Sequence, residues 1–148
     1  TSEDRDALVE ALRDGTIDCI ATDHAPHAAH EKALEFELAP FGTTGLETAL
    51  PLVVTNLVAR EVLAWGDVAR LMAHGPRAAL GLEPVRLEAG MVADITVVDP
   101  EAKVTVDEAY FESKSSNSAF MAATLLGKAS EVLVGGRFAL RNGKVVDL

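Results

Sequence analysis

Cysteine is nearly absent. One thiol, Cys19, stands in 148 residues, so no disulfide can form within the chain and a reducing compartment is favoured. Aromatic side chains are scarce too, one Trp, one Tyr and five Phe, which leaves aliphatic residues to fill a core and suits helices packed on a buried sheet. Basic residues are outnumbered, 13 Lys and Arg against 23 Asp and Glu, for a net charge of −10. A surface of that sign repels a phosphate backbone, so nucleic acid is excluded as a partner. No apolar run approaches the roughly 20 residues of a membrane span. The first residues carry neither a methionine nor the pattern of a signal peptide, so the chain is expected to be the middle of a longer, cytoplasmic protein. What remains is 49% hydrophobic, enough for one modest core.

Thr1, then Glu3 and Asp4, then apolar residues at 8, 9, 11 and 12 predict a capped opening helix that stops at Asp14-Gly15. The segment Ile17-Asp18-Cys19-Ile20-Ala21-Thr22 predicts a short strand, ended by Pro26. At its C-terminal edge stands Asp23-His24-Ala25-Pro26-His27. An acid and imidazoles delivered where a buried strand emerges are the means by which metal-assisted hydrolases build their sites. By itself Asp23 could equally cap the following turn. A sharper rival places Asp23, His27 and His30 at i, i+4 and i+7 on one helical face as a self-contained zinc site. Pro26 disfavours helical geometry at Ala25 and argues for an extended turn instead. His24 points away from Asp23 in an extended chain and is expected to pack or support. His30 and Glu31 are expected to be solvated, and His74 to sit near a helix end.

A loop of roughly fifteen residues follows, long enough to suggest a lid or binding loop. It ends in Pro40-Phe41-Gly42-Thr43-Thr44-Gly45-Leu46-Glu47, where Thr44 and Glu47 have capping-box spacing and predict a helix starting near Gly45. Leu46, Leu50, Val53, Val54 and Leu57 give that helix an apolar stripe, and Pro51 should kink it or mark its first turns. Asp67 is expected to cap Val68 to Ala73, and Pro76 to start a further helix ended by Gly81. From Leu87 the pattern becomes that of strands, with Asp94 to Pro100 and Val132 to Arg137 as apolar runs and Arg141-Asn142-Gly143-Lys144 as a hairpin turn.

Three separated segments, Thr22 to His27, Pro40-Phe41-Gly42 with Gly45 to Thr48, and Lys114-Ser115-Ser116-Asn117-Ser118-Ala119-Phe120, resemble in order the last third of bacterial dihydroorotases. Gly90 to Pro100 resembles the sheet that closes the wider cyclic amidohydrolase family. Ala119 departs from that pattern, where proline is commoner. The resemblance implies an α/β fold: the C-terminal part of a (β/α)8 barrel over 1–86, then part of a small β-sandwich over 87–148, with 113–127 joining back to the barrel. It implies a zinc-dependent enzyme that interconverts N-carbamoyl-L-aspartate and dihydroorotate in pyrimidine synthesis. Asp23 would be metal ligand and proton carrier, His27 would grip the substrate carboxylate, and Phe41 and Gly42 would contact the pyrimidine ring. The remaining zinc ligands would lie outside this chain, which alone should be inactive. The small-molecule substrate, the rest of the barrel, a homodimer or a complex with aspartate carbamoyltransferase are the partners implied. The alternatives are a non-catalytic homologue that scaffolds aspartate carbamoyltransferase, or a hydantoinase or allantoinase type of cyclic amidohydrolase.

Overall fold

The computed structural model describes residues 1–146, an N-terminal helical half followed by an antiparallel sheet. α1 spans Ser2–Asp14. Thr1 caps it, its Oγ1 accepting the Asp4 N–H at 3.2 Å, and Gly15 ends it at φ 86. Both signals sit where the residue types place them.

Ile17–Thr22, expected as a strand, enters no ladder. A barrel strand takes its hydrogen bonds from parallel neighbours far away in sequence, and none lies beside it among the described residues. Its tie is instead to a helix, through the Ile20 N–H donating to the Leu71 carbonyl at 2.9 Å.

That carbonyl is available because of a proline. α4 (Trp65–Ala69), a π-helical turn (Arg70–His74) and α5 (Gly75–Ala79) follow one another without a break. The Gly75 N–H reaches back to the Arg70 carbonyl, and Pro76 has no N–H to offer. The Leu71 carbonyl therefore faces outward. Two expectations are corrected here: Pro76 lies inside this helical stretch rather than starting one, and Asp67 is not the cap. Ala64 is, with the Asp67 carboxylate accepting the Ala64 N–H at 3.0 Å.

α3 (Leu46–Val53), which continues into a second π-helical turn at Val54–Val58, repeats the device. Pro51 sits inside α3 and leaves the Glu47 carbonyl without a helical donor. The Tyr110 hydroxyl donates to it at 2.8 Å. Each proline thus frees one helix carbonyl, and each free carbonyl anchors another segment.

The second half is a four-stranded antiparallel sheet in chain order, β1 (Ile95–Thr105), β2 (Thr124–Val134), β3 (Arg137–Arg141) and β4 (Lys144–Val145). The expected turn at Asn142-Gly143 forms, with both residues at positive φ. So does one at Gly135-Gly136, which interrupts the run expected to continue from Val132 to Arg137. β1 is longer than expected because its register slips between Asp99 and Lys103, letting the chain pass Pro100, which cannot donate to a ladder. Among the described residues the β half is one sheet.

β2 packs on α3. Leu125, Val104 and Val106 form a buried cluster with Leu52, Tyr110 and Phe111 beside it. Gly127, at φ 92, lets the strand approach so closely that a Cβ there would lie 2.7 Å from the Val54 Cβ. The Leu126 N–H donates to Thr55 Oγ1 at 2.7 Å. This docking brings the connection between β1 and β2 under the N-terminus of α3. Elsewhere much surface is uncovered: the chain exposes 10234 Å², whereas a compact monomer of 15.6 kDa exposes about 7,200 Å².

Candidate active site

The segment after Thr22 turns sharply. Asp23 adopts φ 46, a left-handed conformation costly for most side chains and tolerated best by Asp and Asn. Its carboxylate is exposed and takes no hydrogen bond among the described residues. Beyond it the chain runs alongside the loop that precedes α3: His24 pairs in parallel with Thr43, and the Ala25 N–H donates to the Thr43 carbonyl at 2.9 Å. Turn and loop, some twenty residues apart in sequence, are thereby one surface.

Each candidate residue can be placed on that surface. The His27 ring is half-buried, and its Nε2 lies 2.8 Å from the Phe41 carbonyl oxygen, which can only accept, so Nε2 carries the proton. Its Nδ1 faces the Glu31 carboxylate at 4.0 Å. The Phe41 side chain is 92% exposed. Gly42 adopts φ 117, and a Cβ there would lie 2.5 Å from the Ala25 Cβ and 3.4 Å from His27 Nε2. The close approach that glycine allows is therefore to the acid-imidazole turn itself.

The helical zinc rival is not what forms. α2 covers only Ala29–Lys32, and Asp23 and His27 precede it, so the three residues share no helical face. Glu31 is not merely solvated, because its carboxylate accepts the Ala28 N–H at 2.9 Å and starts that helix. Lys32 Nζ donates to the Pro40 and Gly42 carbonyls at 2.9 and 3.1 Å, folding the long loop back onto the turn.

α3 begins at Leu46, one residue from the expected start, but by a different cap. Thr44 Oγ1 is fully buried and bonds no N–H, while His24 Nδ1 accepts the Gly45 and Leu46 N–H groups at 3.1 and 3.2 Å. The imidazole of His24 thus takes the capping role, as a supporting residue behind Asp23. Its Nε2 faces Ser113 Oγ at 3.4 Å, and Ser113 donates through its hydroxyl and, at 2.9 Å, its N–H to the Glu47 carboxylate. Burial pushes the Glu47 carboxyl up, but these bonds from Ser113, with the nearby His24, outweigh it and hold the group below the ordinary range. Burial, then the Glu47 charge, raise the Tyr110 phenol.

The connection between β1 and β2 contributes what sequence reasoning missed. Asn117 Oδ1 accepts the His27 N–H at 3.2 Å, and its Nδ2 donates to the Ala25 and Gly42 carbonyls at 3.3 and 3.4 Å. Its backbone carbonyl accepts the Thr44 N–H at 3.1 Å and the Thr43 hydroxyl at 2.9 Å. Ser115 Oγ donates to the His27 carbonyl at 2.5 Å. A dense run of hydroxyl and amide side chains within a strand-rich region was the available signal, since such residues bond backbone groups in preference to a ladder.

A model of the amidohydrolase family matches residues 1–141. The chain belongs to the amidohydrolase family. It is 45% identical over 139 residues to a dihydroorotase of Chlorobaculum tepidum, covering 94% of this chain and 32% of that protein. Among solved structures it is similar to L-hydantoinase (dihydropyrimidinase) from Arthrobacter aurescens, with a TM-score of 0.86 at 29% identity, covering 95% of this chain and 32% of the other. D-hydantoinase (dihydropyrimidinase) from Thermus sp. gives 0.87 at 28%, with the same coverage. The chain spans about a third of the length of the curated relatives it matches. The resemblance to dihydroorotases drawn from the three motifs is thus matched along nearly all of the chain, and the fold is that of amidohydrolase relatives.

For a catalytic metal, Asp23 fits as one ligand: an exposed carboxylate without a protein partner, set in a strained backbone. Catalytic zinc ordinarily takes three protein ligands, and no group of three His, Cys, Asp or Glu gathers among the described residues.

Proposed function

We propose that this chain is the C-terminal third of a zinc-dependent, cytoplasmic dihydroorotase that interconverts N-carbamoyl-L-aspartate and dihydroorotate in pyrimidine synthesis. The observation that carries the reading is the free Asp23 carboxylate standing at the edge of the paired turn and loop that hold His27, Phe41 and Gly42. Residues 1–86 would complete a barrel whose earlier strands bring the other metal ligands, and residues 87–148 would belong to its β domain. The exposed apolar surface is what such an upstream partner would cover. By itself the chain would be inactive.

When bound, zinc supplies a Lewis acid that activates water and polarises the ring amide. Asp23 would hold it through one carboxylate oxygen. The other oxygen would take the proton from the attacking water and return it to the departing ring nitrogen, so no proton is lost in either direction. His27 would meet the substrate carboxylate. Since its Nε2–H is engaged by the Phe41 carbonyl, the ring offers a donor to the anion when that contact opens. Phe41 and Gly42 would line the ring plane.

The test uses the full-length protein. Turnover of dihydroorotate that is lost on chelation and restored by zinc is expected, and Asp23→Asn should lower it about 100-fold or more, the range of a general acid-base group. Turnover within a few-fold of the unmodified protein would refute the role. A hydantoinase-type enzyme is the second reading, favoured by the fold likeness to hydantoinases. Faster turnover of uncharged cyclic amides than of dihydroorotate would select it. A protein that turns over neither but binds aspartate carbamoyltransferase would be the scaffold.

A further inference from the structure

We infer that Asn117 is the positioning residue that sets the distance between the His27 turn and the Phe41-Gly42 loop; the inference rests on the dihydroorotase reading for what those elements bind. A primary amide has two donors and an acceptor with two lone pairs, and Asn117 uses them all. Oδ1 takes the His27 N–H at 3.2 Å and shares the one Ser115 hydroxyl hydrogen with the His27 carbonyl, each acceptor 2.5 Å from Ser115 Oγ. Nδ2 gives one hydrogen to Ala25 in the turn and the other to Gly42 in the loop, at 3.3 and 3.4 Å. The side chain is therefore a bridge with one donor on each element, and no other side chain among the described residues hydrogen-bonds to both Ala25 and Gly42.

Its own position is fixed from the loop side. The Thr43 hydroxyl donates to its carbonyl while accepting the Ala119 N–H at 2.9 Å. The β1–β2 connection thereby sets the spacing of two elements that belong to the helical half. Asp23 is not among the partners. Loss of the bridge should accordingly widen the groups that meet the substrate while leaving the proton carrier in place, which is a binding defect and not a chemical one.

Two variants of the full-length protein test this. Asn117→Ala removes the bridge. Asn117→Asp keeps the shape and the acceptor toward His27 but has no hydrogen for Ala25 or Gly42, and faces two carbonyls with a carboxylate. Both should raise the KM for dihydroorotate about ten-fold, the effect of losing one or two modest hydrogen bonds, with kcat within about three-fold. In both, the Gly42-Thr43-Thr44 amides should exchange faster with deuterium. An unchanged KM, a loss confined to kcat, unaltered exchange at Thr44, or failure of both variants to fold would overturn the assignment. Absence of turnover in the unmodified protein would sink the proposed activity instead, and the exchange measurement would then judge the bridge alone.

Discussion

Replacing Gly42 by alanine perturbs the candidate site at one atom, and the structure allows its two costs to be separated. The first is backbone strain: φ is 117, beyond the left-handed basin that L residues visit, and holding alanine there costs on the order of 1–3 kcal/mol. The second is contact. The new Cβ would lie 2.5 Å from the Ala25 Cβ, so the two segments must part by roughly 1 Å to reach ordinary carbon–carbon separation. That movement pulls on the Phe41 carbonyl held by His27 at 2.8 Å and on the Gly42 carbonyl held by Lys32 at 3.1 Å. A 1 Å displacement of substrate-positioning groups can cost about 100-fold in catalysis. Gly42→Ala should therefore lower kcat/KM for dihydroorotate by about 10- to 100-fold, followed as the loss of substrate ultraviolet absorbance, with most of the change in KM. Ala25→Gly removes the atom that the new methyl strikes. The double variant should recover the contact part and keep the strain part, ending between the unmodified protein and Gly42→Ala. A Gly42→Ala protein with unmodified kinetics, or a double variant no better than the single, would refute the view that this glycine exists for the turn it packs against.

Tyr110→Phe should cost about 1–2 kcal/mol, since it strips the donor from the carbonyl that Pro51 leaves open. In a Pro51→Ala background the helix supplies its own N–H to that carbonyl, so the same change should cost less; additive costs in denaturant unfolding would disprove the link. Glu47 contributes to acid stability. Its folded value lies below the ordinary carboxylate range, so its contribution is complete above that range and is lost as pH falls through the depressed value. Ser113→Ala removes the largest lowering influence, and the acid unfolding midpoint followed by circular dichroism should move to higher pH. Coincident midpoints would show that the Ser113 bonds do not hold the carboxylate.

How much of this was legible in advance depended on the range of the interactions involved. The cap and stop of α1 and the Asn142-Gly143 turn are decided within four residues, and they lie where their residue types stand. The start of α3 was found to within one residue, but its cap was misassigned. Thr44 has the right spacing, yet tertiary packing buries it and delivers His24 from 21 residues away. The missed role of Asn117 has the same origin, as the turn and loop groups that its side chain bonds lie 75 to 92 residues distant.

By itself, then, the sequence determined the family, because an acid with two imidazoles around a proline, followed by Phe-Gly and a serine-rich run, is written in short local motifs. Local propensity likewise determined where the first helix begins and ends. Only the tertiary structure decided that turn and loop form one surface, that Pro51 and Pro76 release carbonyls to anchor other segments, and that Asn117 bridges the site. Those are properties of hydrogen-bonding groups left open in one element and satisfied by another, and no spacing along the chain records which partner folding will supply.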